Sequence, residues 1–194
     1  MAFFRSVSFS EILPALTGAG VTLRMPVSSD YAEWASLREQ SRAFLTPWEP
    51  VWPPDDLTRS AFRRRLKRYV EDQRNDQAYA FLIFRSGDNA LVGGLTLANI
   101  RRGVAQAGSI GYWVGQPFAH KGYMTAAVRT LVPFCFGALR LHRLEAACIP
   151  TNDASIGLLE KTGFKREGYA RGYLCINGAW QDHLLYARLR EDPN

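Results

Sequence analysis

Cysteine and histidine are scarce in this chain, and long apolar runs are missing. Three cysteines and three histidines occur in 194 residues. Cys135, Cys148 and Cys175 are odd in number and far apart, with no Cys-x-x-Cys pair. That pattern argues against a disulfide framework and for reduced thiols in a cytoplasmic protein. The histidines stand singly, so no metal-ligand set arises by spacing and no metal is expected. No apolar stretch approaches the roughly 18 residues that cross a bilayer, so no membrane partner is expected. Met1 to Ser10 carries one basic residue, Arg5, and is broken by serines. A secretory signal needs an unbroken apolar core of about 7–15 residues. Residues 1–20 are therefore expected to form an N-terminal arm of the mature protein.

What is present describes one soluble domain. Hydrophobic residues make up 47% and charged residues 22%, which excludes wholesale disorder. A chain of this length buries roughly 70% of its unfolded surface without staples. Basic residues number 24 and acidic residues 18, for a net charge of +6. Such a surface favours anionic partners, namely nucleic acid, a phosphate-rich cofactor or an acidic protein, without choosing among them.

Periodicity and breakers divide the chain into short elements. Val21 to Met25 alternates as a strand stopped by Pro26, and Ser28, Ser29 and Asp30 form a helix-start cluster ahead of Trp34, Leu37 and Arg38. Four prolines between Phe44 and Pro54 predict a stiff loop bearing Trp48 and Trp52 in place of a regular helix. Asp56 or Thr58 caps a helix to about Gln73. Strands follow at 78–85 and 91–98, then 108–115. A loop through Gly122 enters a helix at 123–139, with a kink or turn expected at Pro133. A strand at 143–149 precedes a helix at 152–162, which Gly163 ends. Two last strands, 165–176 and 179–189, meet at Asn177-Gly178, a hairpin dipeptide. The expected fold class is α+β, a mixed sheet flanked by helices, with residues 21–190 as a single domain.

The stretch from Gly115 to Ala127 places basic residues and a glycine between a strand and a helix N-terminus. The first N–H groups of such a helix lack intrahelical partners and carry partial positive charge, which suits a pyrophosphate. Taken alone, a glycine in a strand–loop–helix turn is a common structural feature. Here it stands in order with Ile110-Gly-Tyr-Trp-Val114, with His120-Lys-Gly-Tyr-Met-Thr125 and with Asn152-Asp-Ala-Ser-Ile-Gly-Leu-Leu-Glu-Lys-Thr-Gly-Phe164. This order resembles the acetyl-CoA-binding core of the GNAT superfamily of N-acetyltransferases. The tail Glu167-Gly-Tyr-Ala-Arg-Gly-Tyr-Leu-Cys-Ile-Asn-Gly-Ala-Trp-Gln-Asp-His183, together with Thr46-Pro-Trp-Glu-Pro50, resembles the Rim-type ribosomal-protein-alanine N-acetyltransferases.

The resemblance implies a GNAT fold with a mostly antiparallel mixed sheet and acetyl-CoA as cosubstrate. It implies that the strand of Tyr112, Trp113 and Val114 splays from the strand at 143–149. The backbone groups so freed would bond the pantetheine arm like an added strand. It assigns the pyrophosphate to the amides around His120, Lys121, Gly122, Tyr123, Met124 and Thr125. Asn152 is assigned to the cofactor arm and Ser155 to the neighbourhood of the thioester sulfur. Three positions depart from the family pattern. Ala119 stands where a Gln or Arg usually opens the loop, Leu159 where a tyrosine often serves as acid, and Ser109 where a glutamate is often found.

The reaction implied is attack of a neutral amine on the acetyl thioester, for which an α-amine of pKa about 8 needs little help from a base. Ser155 is the candidate donor to the departing thiolate. Glu49, Glu145 and Asp182 are candidate bases, directly or through water. Their plainer alternatives are an ion pair with Arg143 or Arg140 for Glu145, and orientation of His183 for Asp182. Trp48, Glu49 and Trp52 are candidate acceptor-binding residues, with loop anchoring as the alternative for the tryptophans. The Arg59–Arg68 run is either a solvated helix face or a contact for ribosomal RNA. The expected acceptor is the N-terminus of a ribosomal protein beginning with Ala or Ser, and either a monomer or a dimer is compatible. A small-molecule amine is the second expectation. A non-catalytic nucleic-acid module is the reading from another class, and no recognition motif accompanies it.

Overall fold

A computed structural model describes residues 14–193. The stretch Met1 to Ser10, and with it most of the expected arm, lies outside the described residues. The last part of that arm belongs to the sheet. Strand β1, Leu16–Gly18, pairs antiparallel with β2, Val21–Arg24. The sheet therefore begins inside the segment expected to be an appendage.

Six more strands complete an eight-stranded sheet in the order β1-β2-β3-β4-β5-β6-β8-β7. They are β3 Tyr79–Arg85, β4 Leu91–Arg101, β5 Ala107–Val114, β6 Arg143–Cys148, β7 Lys165–Ile176 and β8 Ala179–Leu189. Every neighbouring pair is antiparallel except β5 and β6, which run parallel. The described residues also form five α-helices: α1 Tyr31–Gln40, the single turn α2 Arg42–Leu45, α3 Arg59–Arg74, α4 Tyr123–Pro133 and α5 Asp153–Lys161.

Alternation along β3 explains the layering. Tyr79, Phe81 and Ile83 pack with α4 and α5 residues such as Leu131 and Leu159. Leu82 and Phe84 point the other way, into a second core with Trp34 and Leu37 of α1 and Phe62 of α3. A strand covered on both faces has no polar side, and Tyr79 to Phe84 is buried throughout.

Caps set the start of α3 and both ends of α5. Thr58, not Asp56, starts α3 by accepting a bond from the Ala61 amide. Asn152 does the same for α5 through the Ser155 amide at 3.0 Å. Gly163 ends α5 with φ of +82°. Pro133 ends α4, and the chain continues as a π turn over Phe134–Ala138, because the proline supplies no N–H to the regular ladder. The proline-rich stretch carries no regular helix beyond Leu45, as expected, but it is not all loop. It holds the end of α2 and a 3-10 turn, Thr46–Trp48, with Pro47 near its start. Proline is tolerated there because the first N–H groups of a helical turn lack partners anyway.

Candidate active site

The parallel pair β5–β6 keeps register for three rungs only, Ala107↔Arg143, Gly108↔Leu144 and Ser109↔Glu145. β5 continues to Val114 bonded to β4, and β6 continues to Cys148 bonded to β8. The edges that face each other across the gap are unpaired from Ile110 and Ala146 onward. Unpaired strand edges are donors and acceptors waiting for an extended ligand.

The gap leads to the start of α4. Its N-cap residue Gly122 has φ of +81° and no side chain caps the helix, in contrast to α3 and α5. The amides of Tyr123, Met124 and Thr125 therefore open the helix without i−4 partners. A Cβ at Gly122 would meet nothing within 4 Å, so the space beside this turn is open. His120 is also left-handed, with φ of +58°, and His120 and Lys121 are exposed. An uncapped helix start with two basic neighbours fits a phosphate group.

At the wall of the gap, Tyr112 and Ser155 share a hydrogen bond of 2.7 Å between their hydroxyls. Ser155 is buried. Burial pushes the Tyr112 phenol well above its ordinary pKa, opposed by the bond to Ser155. Cys148 also contacts Ser155, and burial raises its thiol pKa. Asn152 spends its Oδ1 on the α5 cap. Val114 packs on the α4 side of the sheet with Tyr112, and Trp113 on the α1 side.

The three carboxylates proposed as bases are all engaged. Glu49 takes both terminal nitrogens of Arg38 at 2.7 Å and the Trp52 indole N–H at 2.7 Å. Glu145 accepts from Arg101 at 2.5 Å and Arg143 at 2.9 Å, so its ion-pair alternative describes it. Asp182 accepts from the Tyr169 hydroxyl and, at 2.7 Å, from the Gly172 amide. Those two bonds hold its carboxyl below the usual range. Asp182 does not orient His183, whose Nδ1 meets the Gln181 carbonyl at 3.0 Å. Trp48 is exposed, while Trp52 is held by its bond to Glu49. In the Arg59–Arg68 run, Arg64 and Arg65 pair with Asp55 and Asp56, and Arg63 and Lys67 are exposed.

Arg38, Ser41 and Asn177 carry no signal of a role at the site in the sequence. Arg38 reads as an ordinary member of an amphipathic helix. The Tyr112–Ser155 bond joins residues 43 apart, which no local pattern reports.

Residues 21–165 match the model of the acetyltransferase (GNAT) domain. The probable N-acetyltransferase YjcK of Bacillus subtilis is 37% identical over 91% of this chain and 98% of its own length. The [ribosomal protein uS5]-alanine N-acetyltransferase of Escherichia coli is 32% identical, covering 91% of each. Among solved structures, RimJ of Mycobacterium smegmatis in complex with CoA-disulfide superposes with a TM-score of 0.86 at 32% identity, over 95% of this chain and 90% of that one. The ribosomal-protein-S5-alanine acetyltransferase of Vibrio fischeri gives 0.85 at 33% identity, over 92% and 98%.

Proposed function

Because the chain belongs to the GNAT acetyltransferase family, we propose that it acetylates the N-terminal α-amine of a protein, specifically a ribosomal protein beginning with alanine or serine. The observation that carries the acetyl-CoA half is the parting of β5 and β6 after Ser109 and Glu145, aimed at an uncapped helix. Relatives named for ribosomal-protein alanine support the acceptor half.

The chain's own groups supply a plain mechanism. The open edge of β5 holds the pantetheine arm in extended form, and the amides of Gly122 to Thr125 hold the pyrophosphate, with His120 and Lys121 adding charge. Asn152 keeps its side-chain NH2 for the arm. An amide near Val114 polarises the thioester carbonyl. Tyr112, kept neutral by burial, donates to Ser155 Oγ, which turns the serine proton toward the sulfur as the C–S bond breaks. The serine keeps its proton and stabilises the departing thiolate by hydrogen bonding, and CoA takes up a proton from solvent as it leaves, balancing the one the amine gives up. The attacking amine arrives neutral and loses its second proton to water. Glu49, Glu145 and Asp182 are not needed as bases, since each already carries donors. The main contribution is holding the amine about 3–3.5 Å from the carbonyl carbon.

Release of CoA thiol tests this with acetyl-CoA and short peptides that begin with Ala, Ser or Met, their N-blocked forms and small amines. Turnover confined to free Ala or Ser N-termini is expected. Turnover with small amines alone overturns the acceptor assignment, and failure to bind acetyl-CoA overturns the whole reading.

A further inference from the structure

The C-terminal turn of α1 reaches both halves of the site, and the chemistry above makes no use of it. Leu37 packs so close to Gly115 that a Cβ there would come within 2.4 Å of Leu37 Cδ1. The buried Ser41 hydroxyl accepts a 2.9 Å bond from the Gln116 amide, just ahead of the phosphate loop. Between these two lies Arg38, whose side chain is only 9% exposed.

Arg38 holds Glu49 by two parallel bonds of 2.7 Å. Its guanidinium lies over the Trp52 ring at 4.0 Å and over the Trp113 ring at 4.8 Å. Its Nε is buried with no hydrogen-bond partner among the described residues, so Glu49 and the two indoles are what hold it. Trp113 sits on the part of β5 that has parted from β6, and Trp52 on the proline-rich loop. The Glu49 carbonyl in turn accepts the Asn177 amide at 2.9 Å, which ties the tip of the β7–β8 hairpin to the same loop. One cation thus joins the cofactor strand, the loop and, through Glu49, the hairpin.

We propose that Arg38 is a positioning residue for acceptor capture. It clamps the loop of residues 46–54, which carries the candidate acceptor-binding residues Trp48, Glu49 and Trp52, and the hairpin behind it, against Trp113 of β5, so this wall keeps its shape only while the Arg38–Glu49 pair is intact. The inference rests on the acetyl-transfer function proposed above. A planar fork is required because both Glu49 oxygens and two ring faces must be met at once, which a lysine ammonium cannot do. The prolines stiffen the loop but supply no N–H with which it could bond to β5 directly.

Steady-state kinetics on the full chain, with an Ala-first peptide and acetyl-CoA, separate this role from general stability. Arg38→Met is expected to raise the acceptor KM by about tenfold or more, since small misplacements are costly to a bimolecular alignment. The acetyl-CoA KM should stay within about twofold. Arg38→Lys should resemble Arg38→Met. The double variant Arg38→Met/Glu49→Gln should be no worse than Arg38→Met, because the pair acts as one unit. Amide hydrogen exchange supplies a readout that needs no turnover. In Arg38→Met, exchange should rise at residues 46–54 and at Asn177 and stay unchanged in β5. An unchanged acceptor KM, a parallel rise in both KM values, or unchanged loop exchange overturns the proposal. If Arg38→Met does not fold, Glu49→Gln carries the same two measurements. Should the wild type turn over no acceptor, the functional reading fails while the exchange data still decide the clamp.

Discussion

The Ser155 hydroxyl has one hydrogen to donate, and its direction depends on Tyr112, which occupies the serine oxygen at 2.7 Å. With the phenol as donor, the serine hydrogen is free to meet the thiolate. Ser155→Ala should lower kcat by about a hundredfold, within the range for loss of a positioned proton donor. KM for acetyl-CoA should change little, and Tm should fall by only a few degrees, since the Tyr112 hydroxyl loses its partner while the α5 cap uses the Ser155 amide and not its hydroxyl. Tyr112→Phe should act in the same direction with a smaller effect. The rate should rise with pH as the acceptor amine loses its proton and level off above about pH 8. No falling limb is expected below about pH 10, because burial keeps the Tyr112 phenol neutral past its usual range. Glu145→Gln and Asp182→Asn should leave the inflection in place. An inflection that disappears in either variant would reinstate that carboxylate as the base.

Elements with local signals were legible in the sequence. Thr58, Asn152, Gly163 and Asn177-Gly178 each act on their immediate neighbours, and each marks a boundary in the structure. Elements defined by distant partners were not. β1 has three residues and exists by pairing with β2, and the 3-10 turn at Pro47 uses a position where proline loses nothing. The opening of α4 was legible as a phosphate site because a basic Gly-containing loop before a helix has a fixed physical meaning. Its test is Gly122→Val. A left-handed φ of +81° costs a β-branched residue about 1–2 kcal/mol, which should lower Tm by several degrees for a chain of this size. The side chain would also enter the open space beside the turn. KM for acetyl-CoA should rise by about tenfold, an effect comparable to losing one or two amide contacts, and KM for the acceptor peptide should not follow. Equal effects on both constants would mean that α4 does not mark the cofactor end.

On the scale of the whole molecule, composition foretold a folded domain but not how its charges are spent. The net charge of +6 hides a set of committed pairs, among them Arg24–Asp30, Arg38–Glu49 and Arg143–Glu167. Ionisable groups also sit in the core: burial raises the pKa of Tyr79, Tyr112, Cys135 and Cys148. These two populations set the pH range of stability from opposite sides. A group whose pKa is raised on folding binds its proton more tightly in the native state. Its contribution is complete below the unfolded pKa and is lost as pH climbs toward the folded value. With ordinary thiols near 8.5 and phenols near 10, stability should begin to fall above about pH 9. Carboxylates lowered on folding, such as Glu167 beside Arg143 and Asp182 beside Tyr169, behave in reverse. Their contribution is present above the unfolded pKa of about 4 and is lost as pH drops through the folded value. These carboxylates are exposed and well screened, so the acid limb should be shallow and the alkaline limb steep. Thermal melts from pH 3 to pH 11 should therefore show a plateau across neutrality with the sharper fall on the alkaline side. A Tm that rises between pH 9 and pH 10 would mean that the phenols and thiols are more easily ionised in the folded chain, and Tyr112 could then no longer serve as the neutral donor to Ser155.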